Sequence, residues 1–143
     1  MKNNEMYLEF DSKSENEAFA RVVVTAFVAQ LDPTLEEIAD IKTAVSEAVT
    51  NAIIHGYENQ EGKVKVRCKL EGDIVRIEIE DNGVGIADIE KAKEALYTTR
   101  PEWERSGMGF TFMETFMDHL YIESSVGKGT KIRMDKQIGL SNY

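Results

Sequence analysis

The chain has 143 residues, of which 42% are hydrophobic, and a formal net charge of −9. This length and apolar content suit one domain with a sizeable core, which we expect to span residues 1–143. The acidic balance argues against a nucleic-acid binder, because affinity for a phosphate backbone depends on clustered lysine and arginine. The expected partners are therefore proteins or small molecules.

The sequence also favours a soluble protein of a reducing compartment. The single cysteine, Cys68, lies on the apolar side of a predicted strand, so we expect neither a disulfide nor a cysteine-based metal cluster. The first ten residues lack the apolar core of a signal peptide, and no run approaches the roughly 18 apolar residues of a membrane span. We expect a cytoplasmic protein without a membrane segment.

A strand opens the chain and a helix follows it. The strand places three apolar residues on one face: Met6, Leu8 and Phe10. Ser14 and Glu17 predict a capping box at the start of the helix. The helix has apolar residues at helical spacing, which we expect to be its buried stripe: Phe19, Val22, Val23, Ala26 and Phe27. Glu17 and Arg21 share the outer face, in the order that favours an ion pair.

Asp32 and Pro33 predict the start of a long second helix that ends near Gly56. Its apolar stripe is predicted from helical spacing: Ile38, Ile41, Val45, Val49 and Ala52. Glu47 and Asn51 lie one turn apart, nearly opposite that stripe. Such a pair can supply a proton acceptor and an oxygen ligand for a hard cation. Two polar residues on the outside of a helix can equally be solvated.

The clearest strands lead into the motif DNGVGI at residues 81–86. Strands at 63–70 and 73–80 form a hairpin around a tight turn. Asp81 continues the apolar face of the second strand, where a carboxylate is costly to bury unless donors meet it. Gly83 and Gly85 then allow close backbone approach. The position predicts a bound amine, amide or water, although Asp-Asn-Gly can also form a capped hairpin turn.

Two further glycine motifs follow. The polar segment 97–106 has neither helical nor strand period and is typical of a lid. The segment SGMGF at 106–110 leads into an apolar helix, where backbone N–H groups can bind an anion, with a linker and helix cap as the alternative. A last strand pair at 120–122 and 132–134 surrounds a glycine turn, and Thr130 shares the inward parity of Ile132.

The order of these motifs resembles the ATP-binding domain shared by gyrase, Hsp90, histidine kinases and MutL. Within that superfamily, TAVSEAVTNAIIHGY, DNGVGI, TTRPEWERSGMGF and SENEAFARV are similar to segments of the small serine-kinase anti-sigma factors, above all those that act on sigma-F in sporulation. The likeness runs from residue 5 to about residue 135. It implies an α/β two-layer sandwich, with helices packed on one face of a mixed, largely antiparallel sheet.

The resemblance also implies how ATP or ADP is held at the base. Asp81 would accept a hydrogen bond from the adenine amino group, and Thr130 would support it. Gly83 and Gly85 would make room for the base.

At the phosphate end, the resemblance implies that Asn51 is the protein ligand of Mg²⁺. Glu47 would be the general base that takes the proton from an attacking serine hydroxyl. The remaining implied nucleotide contacts lie in the lid and the following glycine motif: Thr98, Thr99, Arg105, Gly107, Met108 and Gly109.

A homodimer that holds a sigma factor and phosphorylates a serine of an anti-anti-sigma protein is the implied biological unit. Glu17 and Arg21 match positions that the family uses to contact partners, and neither nucleic acid nor membrane is an expected partner. Three alternatives stay open: a general stress-response anti-sigma kinase, an ATPase in which Glu47 activates water, and a nucleotide-dependent binding module without kinase activity.

Overall fold

The computed structural model describes residues 3–93 and 109–139. None of the helices in these ranges is long and apolar enough to cross a membrane. The elements, in chain order, are β1 (Asn4–Asp11), α1 (Glu15–Val28), a 3₁₀ helix (Ala29–Leu31), α2 (Leu35–Asn51), a π-helix (Ala52–Gly56), β2 (Lys63–Glu71), β3 (Ile74–Asp81), α3 (Ile89–Ala92), α4 (Gly109–Phe116), β4 (His119–Ser125) and β5 (Gly129–Gln137). The predicted lid at 97–106 lies outside the described residues.

The five strands form one sheet in the order β1-β2-β3-β5-β4. All four pairings among these strands are antiparallel, so the prediction of a mixed sheet is corrected. Both α3 and α4 lie between β3 and β4 along the chain, and these two strands run parallel to each other. However, β5 lies between them and pairs antiparallel with both.

One face of the sheet is covered by helices, which confirms the predicted two-layer α/β arrangement. Alternate residues of β2 and β3 are buried in this layer: Val64, Val66, Cys68, Leu70, Val75, Ile77 and Ile79. Burial raises the pKa of the Cys68 thiol to about 12, because the thiolate would lose its hydration. The hydrophobic layer fixes the strand register, on which the inward direction of Asp81 depends.

The opposite face of the sheet carries charged residues in cross-strand ion pairs. Asp135 of β5 is buried beneath two arginines: Arg76 Nε lies 3.2 Å from Asp135 Oδ1, and Arg133 donates to Oδ2 at 3.1 Å. Arg67 of β2 lies 3.6 Å from Glu78 of β3. The period-two pattern of the strands thus separates a hydrophobic layer from a charged one.

The starts of both long helices differ from the predicted ones. Ser14 precedes α1 without a capping bond, and its hydroxyl donates to Glu15 instead. Asp32 has a φ of 52° and ends the 3₁₀ helix, so it cannot cap α2. Thr34 caps α2 in a capping box with Glu37, which satisfies two backbone amides at once.

The buried stripe of α1 also differs from the predicted one. Three residues at helical spacing are fully buried: Ala20, Val24 and Val28. Phe19 and Val22, which we expected in the core, are 50% and 62% exposed. Both sets fit a helical period, and the smaller side chains allow the helix to pack closely. The larger side chains therefore form apolar surface on α1.

Candidate functional site

Asp81 ends β3 on its buried side, as its register predicts. It is 4% exposed and lies opposite Thr130 of β5, which is also buried. Its carboxylate accepts hydrogen bonds from the N–H groups of Gly83, at 2.9 Å, and Thr130. Burial raises the pKa of Asp81 to about 6, and these two donors offset part of the rise. The carboxylate is held in place and retains acceptor capacity for a ligand.

The π-helix that follows α2 lies directly against Asp81. Tyr57 N–H bonds to the carbonyl five residues earlier, which widens this last turn. A Cβ at Gly56 would lie 2.7 Å from Asp81 Oδ1, and one at Gly83 would overlap the carbonyl oxygen of Gly56. That carbonyl accepts a hydrogen bond from Val84 N–H at 2.8 Å. Glycine at both positions therefore lets the π-helix and the Asp81 loop pack together.

Gly85 brings the same loop against the β4–β5 hairpin. Its φ is 77°, and a Cβ there would overlap the carbonyl oxygen of Ser125. The close approach predicted at Gly83 and Gly85 is thus an approach of protein backbone to protein backbone. Their proposed contact with a nucleotide stays a prediction.

Ser124 of β4 ties this loop to Thr130. Its Oγ accepts a hydrogen bond from Ile86 N–H at 2.7 Å. The same oxygen lies 2.9 Å from the carbonyl oxygen of Gly129 and 2.8 Å from Thr130 Oγ1. The sequence did not single out Ser124, because its partners lie up to 38 residues away along the chain.

Tyr57 is a second residue that sequence reasoning missed. Its hydroxyl donates to the carbonyl oxygen of Lys63 at 2.6 Å and accepts from Asn82 N–H at 2.7 Å. It thereby joins the π-helix, the start of β2 and the residue after Asp81. The only local signal was an aromatic residue directly after Gly56.

Tyr57→Phe is expected to keep the ring in place while removing both hydrogen bonds of the hydroxyl. Loss of these bonds should lower the free energy of unfolding by about 1–2 kcal/mol and loosen the Asp81 loop. Urea denaturation checks the first effect, and calorimetric titration with ATP should show several-fold weaker binding. Unchanged values in both measurements would contradict a positioning role for Tyr57.

Glu47 and Asn51 of α2 are less exposed than the helical pattern predicted. Asn51 is 5% exposed and Glu47 is partly buried, so the prediction of a pair on the outside of the helix is wrong. Glu47 Oε2 lies 3.1 Å from the position of a Cβ on Gly109, the first residue of α4. Since α4 covers this side of α2, the Glu47 carboxylate lies beside the N-terminal end of α4.

Asn51 is chemically suited to be the one protein ligand of Mg²⁺, because its carboxamide offers a hard oxygen donor. Within residues 3–93 and 109–139, no group of three or more His, Cys, Asp and Glu side chains could hold a metal ion. Mg²⁺ commonly takes most of its oxygen ligands from substrate phosphates and water, and one protein oxygen at Asn51 is compatible with such a site.

Most of the predicted phosphate contacts lie outside the described residues: Thr98, Thr99, Arg105, Gly107 and Met108. Their roles stay predictions. Gly109 is described, and it begins α4 next to Glu47.

The predicted ion pair on α1 is present, with Arg21 Nε 3.7 Å from Glu17 Oε2. The same Glu17 oxygen also accepts a hydrogen bond from the hydroxyl of Ser46 on α2. Glu17 therefore joins two helices, whereas Arg21 is the more exposed member of the pair. Phe19 and Val22 lie on the same helix and add exposed apolar surface.

Comparison with known proteins identifies the family of this chain, and solved structures show the same fold. Residues 10–136 match the family described as the histidine kinase-like ATPase domain. The catalytic domain of histidine kinase ThkA has a TM-score of 0.57 at 18% identity, over 93% of this chain and 96% of that one. The mycobacterial sensor histidine kinase MprB has a TM-score of 0.58 at 16% identity, over 93% and 98%. The family match therefore defines a histidine kinase-like ATPase domain, and the two solved structures share its fold.

Two relatives of known role identify the group within this family to which the chain is similar. The anti-sigma F factor of Clostridium botulinum (strain Eklund 17B / Type B) is 63% identical over 141 residues, 98% of this chain and 99% of the relative. That of Thermoanaerobacter sp. (strain X514) is 64% identical over 136 residues, 95% of each chain. The chain belongs to the anti-sigma F factors, which confirms the resemblance predicted from its motifs.

Proposed function

We propose that this protein is an Mg²⁺-ATP-dependent protein-serine kinase that also binds and inhibits a sporulation sigma factor, sigma-F. Its substrate is a serine of an anti-anti-sigma protein, and it acts as a homodimer in the cytoplasm. The family membership supports nucleotide binding and the anti-sigma role. The motif resemblance supports the kinase reaction and the homodimer.

The observation that carries the proposal is the spacing of polar groups along α2 and the π-helix. Gly56 lies against Asp81, and Glu47 precedes Gly56 by nine residues, roughly 13 Å if the α-helical rise of about 1.5 Å per residue is applied through the π-helix. This length suits a nucleoside triphosphate that lies along the helix, with adenine at Asp81 and the γ-phosphate beside Glu47. Asn51 lies between the two ends, where the phosphates and magnesium would be.

In this arrangement Glu47 is the general base. Its carboxylate accepts the proton of a substrate serine while the serine oxygen bonds to the γ-phosphorus. The bond between that phosphorus and the bridging oxygen of the β-phosphate breaks, and ADP leaves. Magnesium, when bound, neutralises phosphate charge. Asn51 holds the phosphate end in position, and Asp81 holds the base.

Incubation with Mg²⁺ and γ-labelled ATP, with and without an anti-anti-sigma protein, tests the proposal. A kinase transfers label to a serine of that protein. An ATPase releases labelled phosphate instead, and a binding module does neither. Stable phosphoserine on the partner is the expected result, and either other outcome would contradict the kinase assignment.

Arg21→Ala is expected to weaken partner binding while sparing the fold. Arg21 is partly exposed and its ion pair is a surface pair, so stability should change by only about ±0.5 kcal/mol. A desolvated arginine at an interface can contribute ~2 kcal/mol or more to binding, equivalent to a roughly 30-fold change in Kd. Titration of sigma-F and thermal melting measure the two effects separately.

Glu17→Ala is a less suitable probe of the same surface, because it also removes the hydrogen bond to Ser46. A large fall in melting temperature for Arg21→Ala with intact partner affinity would assign the pair a structural role.

A further inference from the structure

Ser124 has several polar neighbours but only one hydroxyl proton to share among them. Ile86 N–H donates to its oxygen, which leaves one lone pair and the proton. The carbonyl oxygen of Gly129, 2.9 Å away, can only accept. If Ser124 donated elsewhere, two oxygens would face each other at this distance without a hydrogen between them. The proton of Ser124 therefore points to Gly129.

The hydroxyl of Thr130 must then be the donor in its 2.8 Å contact with Ser124. Its proton occupies the remaining lone pair of the Ser124 oxygen, so every polar contact at Ser124 is satisfied. As a result, Thr130 Oγ1 can offer only lone pairs to any other group. The proton direction at Thr130 is thus fixed by a residue on the neighbouring strand.

Thr130 and Asp81 are neighbours in the candidate base site. They are cross-strand partners, and Thr130 N–H donates to the Asp81 carboxylate. Together with Ser124 they also line an open depression of about 320 Å³ at this end of the sheet, whose lining includes charged side chains: Glu80, Glu123, Lys128 and Lys131. An ionised Asp81 and a Thr130 hydroxyl that donates to Ser124 can therefore only accept hydrogen bonds from a ligand that contacts these two residues.

We propose that Ser124 is a positioning residue that sets the purine specificity of the site. Because the Thr130 hydroxyl donates its proton to Ser124, it can only accept a hydrogen bond from a ligand. A 6-aminopurine such as adenine offers N–H donors at position 6, whereas guanine and hypoxanthine offer a carbonyl oxygen there. Without Ser124, the Thr130 hydroxyl is free to rotate and donate to that carbonyl. This inference rests on the nucleotide site of the proposed function and adds the residue that enforces its base preference.

Binding of ATP and ITP tests the inference, since the two nucleotides differ at purine position 6. The measured quantity is the ratio of the ITP Kd to the ATP Kd by calorimetry for the wild type, Ser124→Ala, Thr130→Val and the double variant. Ser124→Ala is expected to lower this ratio about five- to tenfold. In the Thr130→Val background, Ser124→Ala should not change the ratio further, because no hydroxyl remains at residue 130 that could turn toward the base. Ser124→Thr keeps a hydroxyl and should retain the wild-type ratio.

An unchanged ratio in Ser124→Ala overturns the inference. An equal fall of the ratio in the Thr130→Val background also overturns it, since Ser124 would then act by anchoring Ile86. If Ser124→Ala does not fold, Ser124→Cys gives the same comparison, because a thiol is a weak donor and acceptor. Absence of ATP binding by the wild type would overturn the proposed function itself, which separates the two failures.

Discussion

Glu47→Gln is expected to lower phosphotransfer to a partner serine by ~10²–10⁴-fold, the usual contribution of a general base. Glutamine keeps the size of the side chain beside Gly109 but is not basic. Nucleotide should therefore still bind with near-normal affinity. Single-turnover transfer of label, measured beside calorimetric titration with ATP, separates the two effects.

Two further variants of α2 serve as comparisons for Glu47→Gln. Glu36→Gln makes the same chemical change on an exposed residue in the first turn of α2 and should leave transfer unchanged. Asn51→Ala should weaken Mg²⁺-ATP binding and transfer together, because it removes the proposed metal ligand. Near-normal transfer by Glu47→Gln would show that Glu47 is not the base.

Asp81→Asn is expected to weaken ATP binding by about 5- to 150-fold. The amide keeps the shape of the side chain but replaces one acceptor oxygen with a donor, which would face the adenine amino group in the proposed complex, a mismatch of ~1–3 kcal/mol. Calorimetric titration measures the loss. Asp135→Asn is the matched control, because Asp135 is also buried but pairs with arginines on the opposite face of the sheet.

The same carboxylate should make both stability and ATP affinity depend on pH. Its pKa is about 6 in the folded protein against an ordinary value of 3.8, so the folded state binds the proton more tightly. The resulting stabilisation is fully present below pH 3.8 and is lost as pH rises through 6, at most about 3 kcal/mol in total. Asp81→Asn should lack this component in urea denaturation at pH 4 to 7.

ATP affinity should change in the opposite direction. In the proposed complex the adenine amino group would compete with a proton for Asp81 below pH 6, so affinity should fall by up to about tenfold per pH unit. The phosphates of ATP titrate in this range too, but they do so equally with Asp81→Asn, which serves as the reference. Parallel affinity profiles for the two proteins would contradict a contact between Asp81 and the base.

Strand register was the part of this structure that the sequence predicted best. The inward directions of Asp81 and Thr130 follow from a period of two, which leaves one choice once a strand has an apolar face. The helix α1 offered no such constraint. Phe19 with Val22 and Ala20 with Val24 are both helical pairs, and only the packed structure shows that the smaller pair is buried.

Burial of Asn51 and the hydrogen bonds of Tyr57 and Ser124 could not be predicted for a different reason. Helical periodicity treats one helix at a time, whereas α4 returns from far along the chain to cover α2. Tyr57 reaches Asn82 across 25 residues, and Ser124 reaches Ile86 across 38. Such contacts depend on the tertiary arrangement, and no local pattern encodes them.

The burial of Cys68 gives the chain a built-in chemical reporter. Alkylating reagents attack the thiolate, and a thiol with a pKa near 12 inside the hydrophobic layer supplies almost none at neutral pH. Iodoacetamide should therefore label Cys68 only when β2 separates from the helices, and the labelling rate measures how often that opening occurs. Since no other cysteine is present, a cysteine introduced on the surface could carry a fluorophore selectively in the native protein.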